Sequence, residues 1–250
     1  MCIAVTNWST ETICLDAAAQ GLDSLALAVY NLVCRRDFNA PGFCLINVGA
    51  DIDSVAFRRL MVNLKIKMAA IYEQATGNTL VYISVGRFDQ QNSTKPHLDG
   101  GPDESLIMLG YEPSEIESEI EISDYARSAA DLGISPKEFM VHHNPMFRTG
   151  HELLRPYATR IRCFSRADFQ IVIINNSSAA FDGKSWQGTL HTATVLDPDE
   201  SKRRVINSMM IASAPIGAPD SISAADLQEF INTTLVRRRG YDKTNLEDDA

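Results

Sequence analysis

The chain has 250 residues, 23 of them Lys or Arg against 32 Asp or Glu, so its formal net charge is −9, and 45% of its residues are hydrophobic. This composition is ample for a packed core and excludes a wholly disordered or collagen-like chain. The acidic balance is the reverse of the basic groove that a nucleic-acid backbone requires, and no stretch of about 18 consecutive apolar residues could cross a membrane as a helix. The charge balance identifies no ligand, and the sequence leaves the oligomeric state open.

The five Cys (Cys2, Cys14, Cys34, Cys44 and Cys163) are odd in number and form no CxxC pair. They read as the reduced thiols of a cytoplasmic protein. The opening MCIAVTNWSTETICLD lacks the basic start and apolar stretch of a signal peptide. Residues 15–36 place Leu22, Leu25, Ala26, Tyr30 and Val33 at steps of three and four, the apolar face of a helix. Pro41-Gly42 then punctuates, and GFCLINVG (42–49) is a short β-rich run. Asp53-Ser54 offers an N-cap for a second helix, with Val55, Leu60, Leu64, Met68 and Ile71 as its buried side and Gly77-Asn78 as its end.

From residue 79 the texture is that of strands: TLVYISVGRF (79–88), ESLIMLGYE (104–112), TRIRCF (159–164), DFQIVIINN (168–176), GTLHTATVL (188–196) and RVINSMMIA (204–212). Short strands between turn signals predict an antiparallel sandwich or barrel. Residues 113–155 read as a polar, largely helical insertion, with the Glu-rich run at 112–124 as a solvated helix face. The expectation is one α+β domain: helices and one strand over 1–78, a mainly β core over 79–215, and a C-terminal helix with a fraying tail over 216–250.

The residues suited to chemistry lie around the five His. In an extended segment His97 and Asp99 point the same way, so an imidazole nitrogen and a carboxylate oxygen can meet one metal. The plain alternative is a surface turn beside Gly100-Gly101. His191 sits in mid-strand, where Thr189, His191, Ala193 and Val195 share a face; a His in that setting is more often a satisfied core or surface residue than a ligand. Arg203-Arg204 lead an apolar strand, and a buried Arg needs an anionic partner. Arg204, Ile206 and Ser208 alternate onto one face, and a slip of one residue would exchange Arg203 for Arg204. Arg87 lies just upstream of the HxD and could face the cavity, with Gln90, Asn92 and Thr94 as hydrogen-bonding candidates; a solvated hairpin is the alternative. His142-His143 on a helix diverge by about 100° and read as surface residues. Trp186 reads as packing.

The order of these parts — strand, HxD, apolar strand, insertion, strands, mid-strand His, then Arg before an apolar strand — resembles the Fe(II)/2-oxoglutarate-dependent oxygenase superfamily over about residues 40–215. GFCLINVG and GTLHTATVLDPDESKRRVINSMMI carry the rest of the likeness. The resemblance implies a double-stranded β-helix of the jelly-roll or cupin-like kind, with N-terminal helices and a helical insertion. It implies His97, Asp99 and His191 as iron ligands, and Fe(II), 2-oxoglutarate and O₂ as the reacting set. It also implies Arg204 as the partner of the distal carboxylate of 2-oxoglutarate, with Ser208 and Arg87 beside it. Two imidazoles and a carboxylate on one face of an octahedron leave three positions open, which suits non-haem iron. Because the carboxylate ligand is present, hydroxylation or a related oxidation of a small metabolite, such as an amino acid or a natural-product intermediate, is expected rather than halogenation. Two other readings stand beside it: a non-oxidative cupin-type metal enzyme, and a non-catalytic β-barrel binding or stress protein.

Overall fold

The structure, a computed structural model, describes residues 8–238; Cys2 and the last twelve residues of the expected tail lie outside them. Helix α1 (Thr10–Ile13) runs into strand β1 (Cys14–Asp16), which pairs in parallel with the edge of β2 (Phe43–Gly49). Between them, α2 (Leu22–Val33) buries Leu25, Ala26, Val29 and Val33. The helix expected over 15–36 therefore starts only at Leu22, because residues 14–16 are recruited as an edge strand. Helix α3 (Ser54–Thr76) begins where Asp53 accepts hydrogen bonds from the Val55 and Ala56 amides at 2.9 and 2.8 Å, and it ends at Gly77, whose φ of +74° only glycine adopts freely.

The β core follows with β3 (Asn78–Asp89), β4 (Ser105–Tyr111), β5 (Ser118–Ser123), β6 (Ala158–Arg160), β7 (Phe169–Asn175), β8 (Leu190–Val195) and β9 (Val205–Pro215). Helices α4 (Tyr125–Leu132), α5 (Pro136–His142) and α6 (Arg148–Leu154) intervene between β5 and β6; α7 (Ala224–Asn232) and a two-residue β10 (Arg237–Arg238) close the described chain. The larger sheet has the order β1-β2-β7-β4-β9-β3-β10 and the smaller one β6-β5-β8. Residues 94–97 extend the smaller sheet, since the Thr94 amide donates to Ala193 O and His97 and His191 form an antiparallel bridge. From β3 onward the antiparallel core thus crosses back and forth between two facing sheets: β3, β4, β7 and β9 in one, residues 94–97, β5, β6 and β8 in the other. That winding is the double-stranded β-helix. Helices α2, α3 and α7 cover the outer face of the larger sheet, where Phe57, Met61, Leu64 and Met68 meet Leu80, Met108, Ile173 and Ile211.

Two expectations are corrected here. The Glu-rich run is not a helix face. SEIEIS forms β5, the middle strand of the smaller sheet, with Ile120 and Ile122 buried and Glu119 paired outward with Arg160. The alternation of period two in that segment is the strand signal. The five thiols are not all free either. Cys14 of β1 and Cys163 form a disulfide with Cα atoms 6.6 Å apart, whereas Cys34 and Cys44 remain thiols, both pushed upward in pKa by burial. Disulfides persist in oxidising compartments, so this bond removes one premise of the cytoplasmic expectation, the reduced thiols. Among the described residues no helix is long and apolar enough to cross a membrane.

One ionic cluster ties the outer helices to the larger sheet. Glu112, just past β4, accepts from Ser54 Oγ at 2.7 Å, from Arg87 Nη2 at 3.0 Å and from Asn207 Nδ2 at 3.0 Å, with Arg58 Nη1 at 3.4 Å. Arg58 in turn donates to the Ile231 and Thr233 carbonyls at the end of α7. Burial pushes the Glu112 carboxyl up, but the hydrogen bonds from Arg87, Asn207 and Ser54 outweigh it and hold the group below its ordinary 4.5.

Replacing Glu112 by Ala strands two largely buried guanidinium groups and is expected to cost about 3–5 kcal/mol in denaturant unfolding. A carboxyl whose pKa is lowered in the fold adds stability above its unfolded value, which is lost as pH falls through the folded one. The gap between wild type and Glu112→Gln should accordingly be full at neutral pH and narrow as the pH drops below 4.5. For the disulfide, thiol titration of the denatured protein should find two fewer thiols before reduction than after. A Cys14→Ser/Cys163→Ser protein should lose about 2–4 kcal/mol of stability.

Candidate metal centre

The site is assembled by a single antiparallel bridge between two residues far apart in sequence. His97 N donates to His191 O and His191 N to His97 O, both at 3.2 Å. Paired residues of an antiparallel ladder project to the same side. The two imidazoles therefore enter the space between the sheets together, with ring centroids 4.2 Å apart. Asp99, two residues on, completes the set: its carboxylate oxygens lie 3.5 Å from His97 Nε2 and 4.0 Å from His191 Nε2, and the three donor atoms all fall within 4.8 Å of one another.

The two imidazoles are held differently. His97 Nδ1 is 2.8 Å from Lys95 O, which fixes the ring and leaves Nε2 for the cavity. Hydrogen bonding to Asp99 raises the His97 pKa, against the opposing effect of burial. His191 is buried. Desolvation, reinforced by repulsion from His97, pushes it down to about 4, so its ring is neutral at ordinary pH and its nitrogen lone pair is available. Among the described residues its Nδ1 has no hydrogen-bond partner. Two imidazoles and a carboxylate with their donor atoms turned to one point are a donor set that fits a divalent first-row ion such as Fe(II).

Asn176, which sequence reasoning did not single out, fixes the carboxylate. Its Oδ1 accepts from the Asp99 amide at 3.0 Å, and its Nδ2 donates to Asp99 O at 2.9 Å and to Ser105 Oγ at 3.1 Å. One side-chain amide thus grips both polar groups of the Asp99 backbone, as a neighbouring strand would. The signal in the sequence was only that Asn175-Asn176 end the apolar strand DFQIVIINN.

The triad opens on a cavity of about 420 Å³ between the two sheets. Arg204, Ser208, Gln90 and Thr94 line it, as the sequence suggested, while Asn92 is not among its lining residues. Arg204 is 3% exposed. Its Nε donates to Ser118 Oγ at 2.9 Å and its Nη1 to Gln90 O at 3.0 Å, and its guanidinium carbon stands 5.1 Å from the centre of the Tyr111 ring. Burial lowers its pKa, against the opposing effects of the Tyr111 phenol and of Asp89, whose carboxylate accepts from the Arg204 amide; among the described residues its Nη2 has no hydrogen-bond partner. Arg203 is exposed, so the register question resolves to Arg204.

Arg87 is a correction. Strand β3 alternates, sending Ser84, Gly86 and Phe88 into the cavity and Arg87 to the helical side, where it is bonded to Glu112, Ser54 and Thr234 O. It lines a different cavity beneath α7 and is not placed to assist Arg204. His142 and His143 lie on and just past α5, away from the cavity lining. Trp186 is buried against Tyr72, with ring centroids 5.1 Å apart. Tyr111, Phe88 and Met210 are wall residues that sequence reasoning missed, because a strand residue shows its face only once the register is known.

No family model and no curated protein matches this chain. Solved structures do. The non-heme alpha-ketoglutarate-dependent epimerase SnoN from nogalamycin biosynthesis is similar over 83% of this chain and 94% of its own, at 14% identity and a TM-score of 0.40. A variant of the iron and alpha-ketoglutarate-dependent endoperoxidase NvfI is similar over 72% of this chain and 81% of its own, at 14% identity and a TM-score of 0.35. The same endoperoxidase in a different conformation matches at 12% identity and a TM-score of 0.37, over 75% of this chain and 82% of its own. The fold assigned to this chain rests on the strand pairing described above.

If Asn176 holds Asp99 for metal binding, Asn176→Ala should weaken anaerobic Fe(II) or Mn(II) binding about 10–100-fold. Asn175→Ala is the control, because Asn175 Nδ2 serves Val33 O, on the other side of β7, and does not touch Asp99. It should lose stability while binding the metal nearly as wild type.

Proposed function

We propose that the chain is an Fe(II)/2-oxoglutarate-dependent oxygenase acting on a small metabolite. The observation that carries this reading is the pairing, in one cavity, of a His97/Asp99/His191 donor set with a buried guanidinium that keeps one nitrogen unbonded. A charged Arg cannot shed its proton, so a buried Arg204 with Nη2 unpaired asks for an anion. A non-oxidative cupin-type metal enzyme has no need of that second feature, and a purely structural barrel has need of neither.

The residues divide the task by position. Ser118 pairs with Val195 across β5 and β8, four residues along the strand from His191. That is about 13 Å of extended chain between the backbone level where Arg204 is anchored and the level of the triad. Arg204 reaches inward from its end, so a short dicarboxylate can touch it with one carboxylate and the metal donors with the other end. Ser208 and Tyr111 line the same wall and offer hydroxyl groups to that anion. His97, Asp99 and His191 would hold the iron, Asp99 offsetting one of its two charges. When bound, ferrous iron with 2-oxoglutarate and O₂ supplies the power to oxidise an unactivated C–H bond, chemistry that no side chain here can perform alone. The aliphatic wall of Ile107, Leu109 and Ile206 excludes water from the reacting centre.

Anaerobic addition of Fe(II) and 2-oxoglutarate should give a weak visible charge-transfer band. The band should vanish in His97→Ala, Asp99→Ala and His191→Ala. Arg204→Ala should raise the 2-oxoglutarate concentration needed for half-saturation by about 100-fold, in line with loss of a buried ionic contact, while Arg203→Ala and Arg87→Ala leave it within about threefold. A wild-type protein that binds Fe(II) but shows no band with 2-oxoglutarate would instead favour the non-oxidative metal enzyme.

A further inference from the structure

The register orders the cavity wall into rows. On β9, Ile206 pairs with Phe88 and Tyr111, Ser208 with Gly86 and Leu109, and Met210 with Ser84 and Ile107. All nine residues line the cavity. Beyond the first row lies Arg204, buried; in the last row Ser84 is exposed, as is Gly100 beside the triad. The cavity therefore runs from a closed, cationic end at Arg204 to a mouth at Ser84 and Gly100.

Charge is confined to part of this path. Among the described lining residues the charged or ionisable side chains are His97, Asp99, His191, Arg204 and the phenol of Tyr111. On the reading of the preceding subsection, which this inference deepens and on which it rests, the metal engages the first three and the distal carboxylate of the co-substrate engages Arg204, beside Tyr111. The remaining wall toward the mouth is glycine, a serine hydroxyl, aliphatic carbon and the Met210 thioether. Gly86 lets the Phe88 ring lie over the middle row, since a Cβ there would come 2.5 Å from that ring. A desolvated charge that finds no counter-charge weakens binding far more than its apolar contacts strengthen it.

We propose that the substrate portion entering this cavity is uncharged: a predominantly apolar skeleton carrying at most hydroxyl or carbonyl groups, and not a zwitterionic amino acid. Ser84 at the mouth and the Gln90 and Thr94 side chains farther in supply neutral hydrogen bonds, which orient such a skeleton without requiring charge on it.

The test uses three probes that share one carbon chain: 1-hexanol, hexanoate and hexylammonium. Each is titrated into the full-length protein loaded anaerobically with Fe(II) and 2-oxoglutarate, and the perturbation of the visible charge-transfer band is read together with the thermal shift. 1-Hexanol is expected to bind at least tenfold more tightly than either ion. An ion that binds as tightly as the alcohol overturns the proposal, and so does an alcohol that leaves an intact band unmoved. Absence of the band before any probe is added overturns the underlying oxygenase reading instead, so the two failures are distinguishable. Ser84→Lys places a cation at the mouth and should raise hexanoate affinity at least tenfold with the band retained. No gain from that charge, with the band retained, would mean that ligands do not enter past Ser84, and would also overturn the proposal.

Discussion

The site depends on one closure: the antiparallel bridge between His97 and His191, which joins residues 94–97 to β8. Two backbone hydrogen bonds set the register there, and register decides everything about the side chains. A slip by one residue would turn one imidazole out of the cavity and leave the other facing an empty wall. The bridge forms only because the chain leaves the larger sheet at the end of β3 and crosses to the smaller one before returning as β4. The alternation of strands between sheets that defines the fold is thus the same event that brings the two imidazoles within 4.2 Å. Asn176 extends this logic by one step: with the chain past His97 no longer in a ladder, a side-chain amide stands in for the missing strand at Asp99.

A second constraint is the handling of buried cations on the two faces of the larger sheet. On the inner face Arg204 is fixed by Ser118 and by the carbonyl of Gln90, with one nitrogen left over. On the outer face Arg58 and Arg87 converge on Glu112 and spend their remaining donors on carbonyls of α7 and the segment after it. The outer pair shares a carboxylate supplied by the protein and serves to dock helices. The inner arginine is near the hydroxyls and the ring of its neighbours, and the Asp89 carboxylate accepts from its backbone amide, not from its guanidinium. That contrast separates a structural guanidinium from one suited to a ligand, and it comes from the two-residue period of strands β3 and β9.

Much of this was legible in the chain. Apart from β5, the strands from β3 to β9 show as apolar runs bounded by turn residues, and the triad shows as an HxD and a His in mid-strand. Arg204 was separable from Arg203 by alternation with Ile206 and Ser208. Other features were misread for identifiable reasons. In EPSEIESEIEIS the density of Glu masked the alternation of Ile120 and Ile122, whose burial makes β5 the centre of the smaller sheet. Arg87 lay close to the HxD along the chain, yet faces the opposite side of the sheet, because parity along β3 outranks proximity in sequence. The disulfide joins residues 149 apart, and nothing local to either cysteine announces its partner.

The sequence by itself determined most of the strand and helix segments, which residue types could hold a metal, and which arginine shares a strand face with Ile206 and Ser208. These are local properties, set by period, by turn residues and by the chemistry of single side chains. Only the tertiary structure decided that His97 meets His191, that Asn176 holds Asp99, that Arg87 is claimed by Glu112, and that the described strand residues lining the cavity from Ser208 to Ser84 carry no charge. Each of these depends on pairing between strands distant in the chain. The free energy of such pairing comes from burying whole faces, not from any residue that a linear reading can isolate.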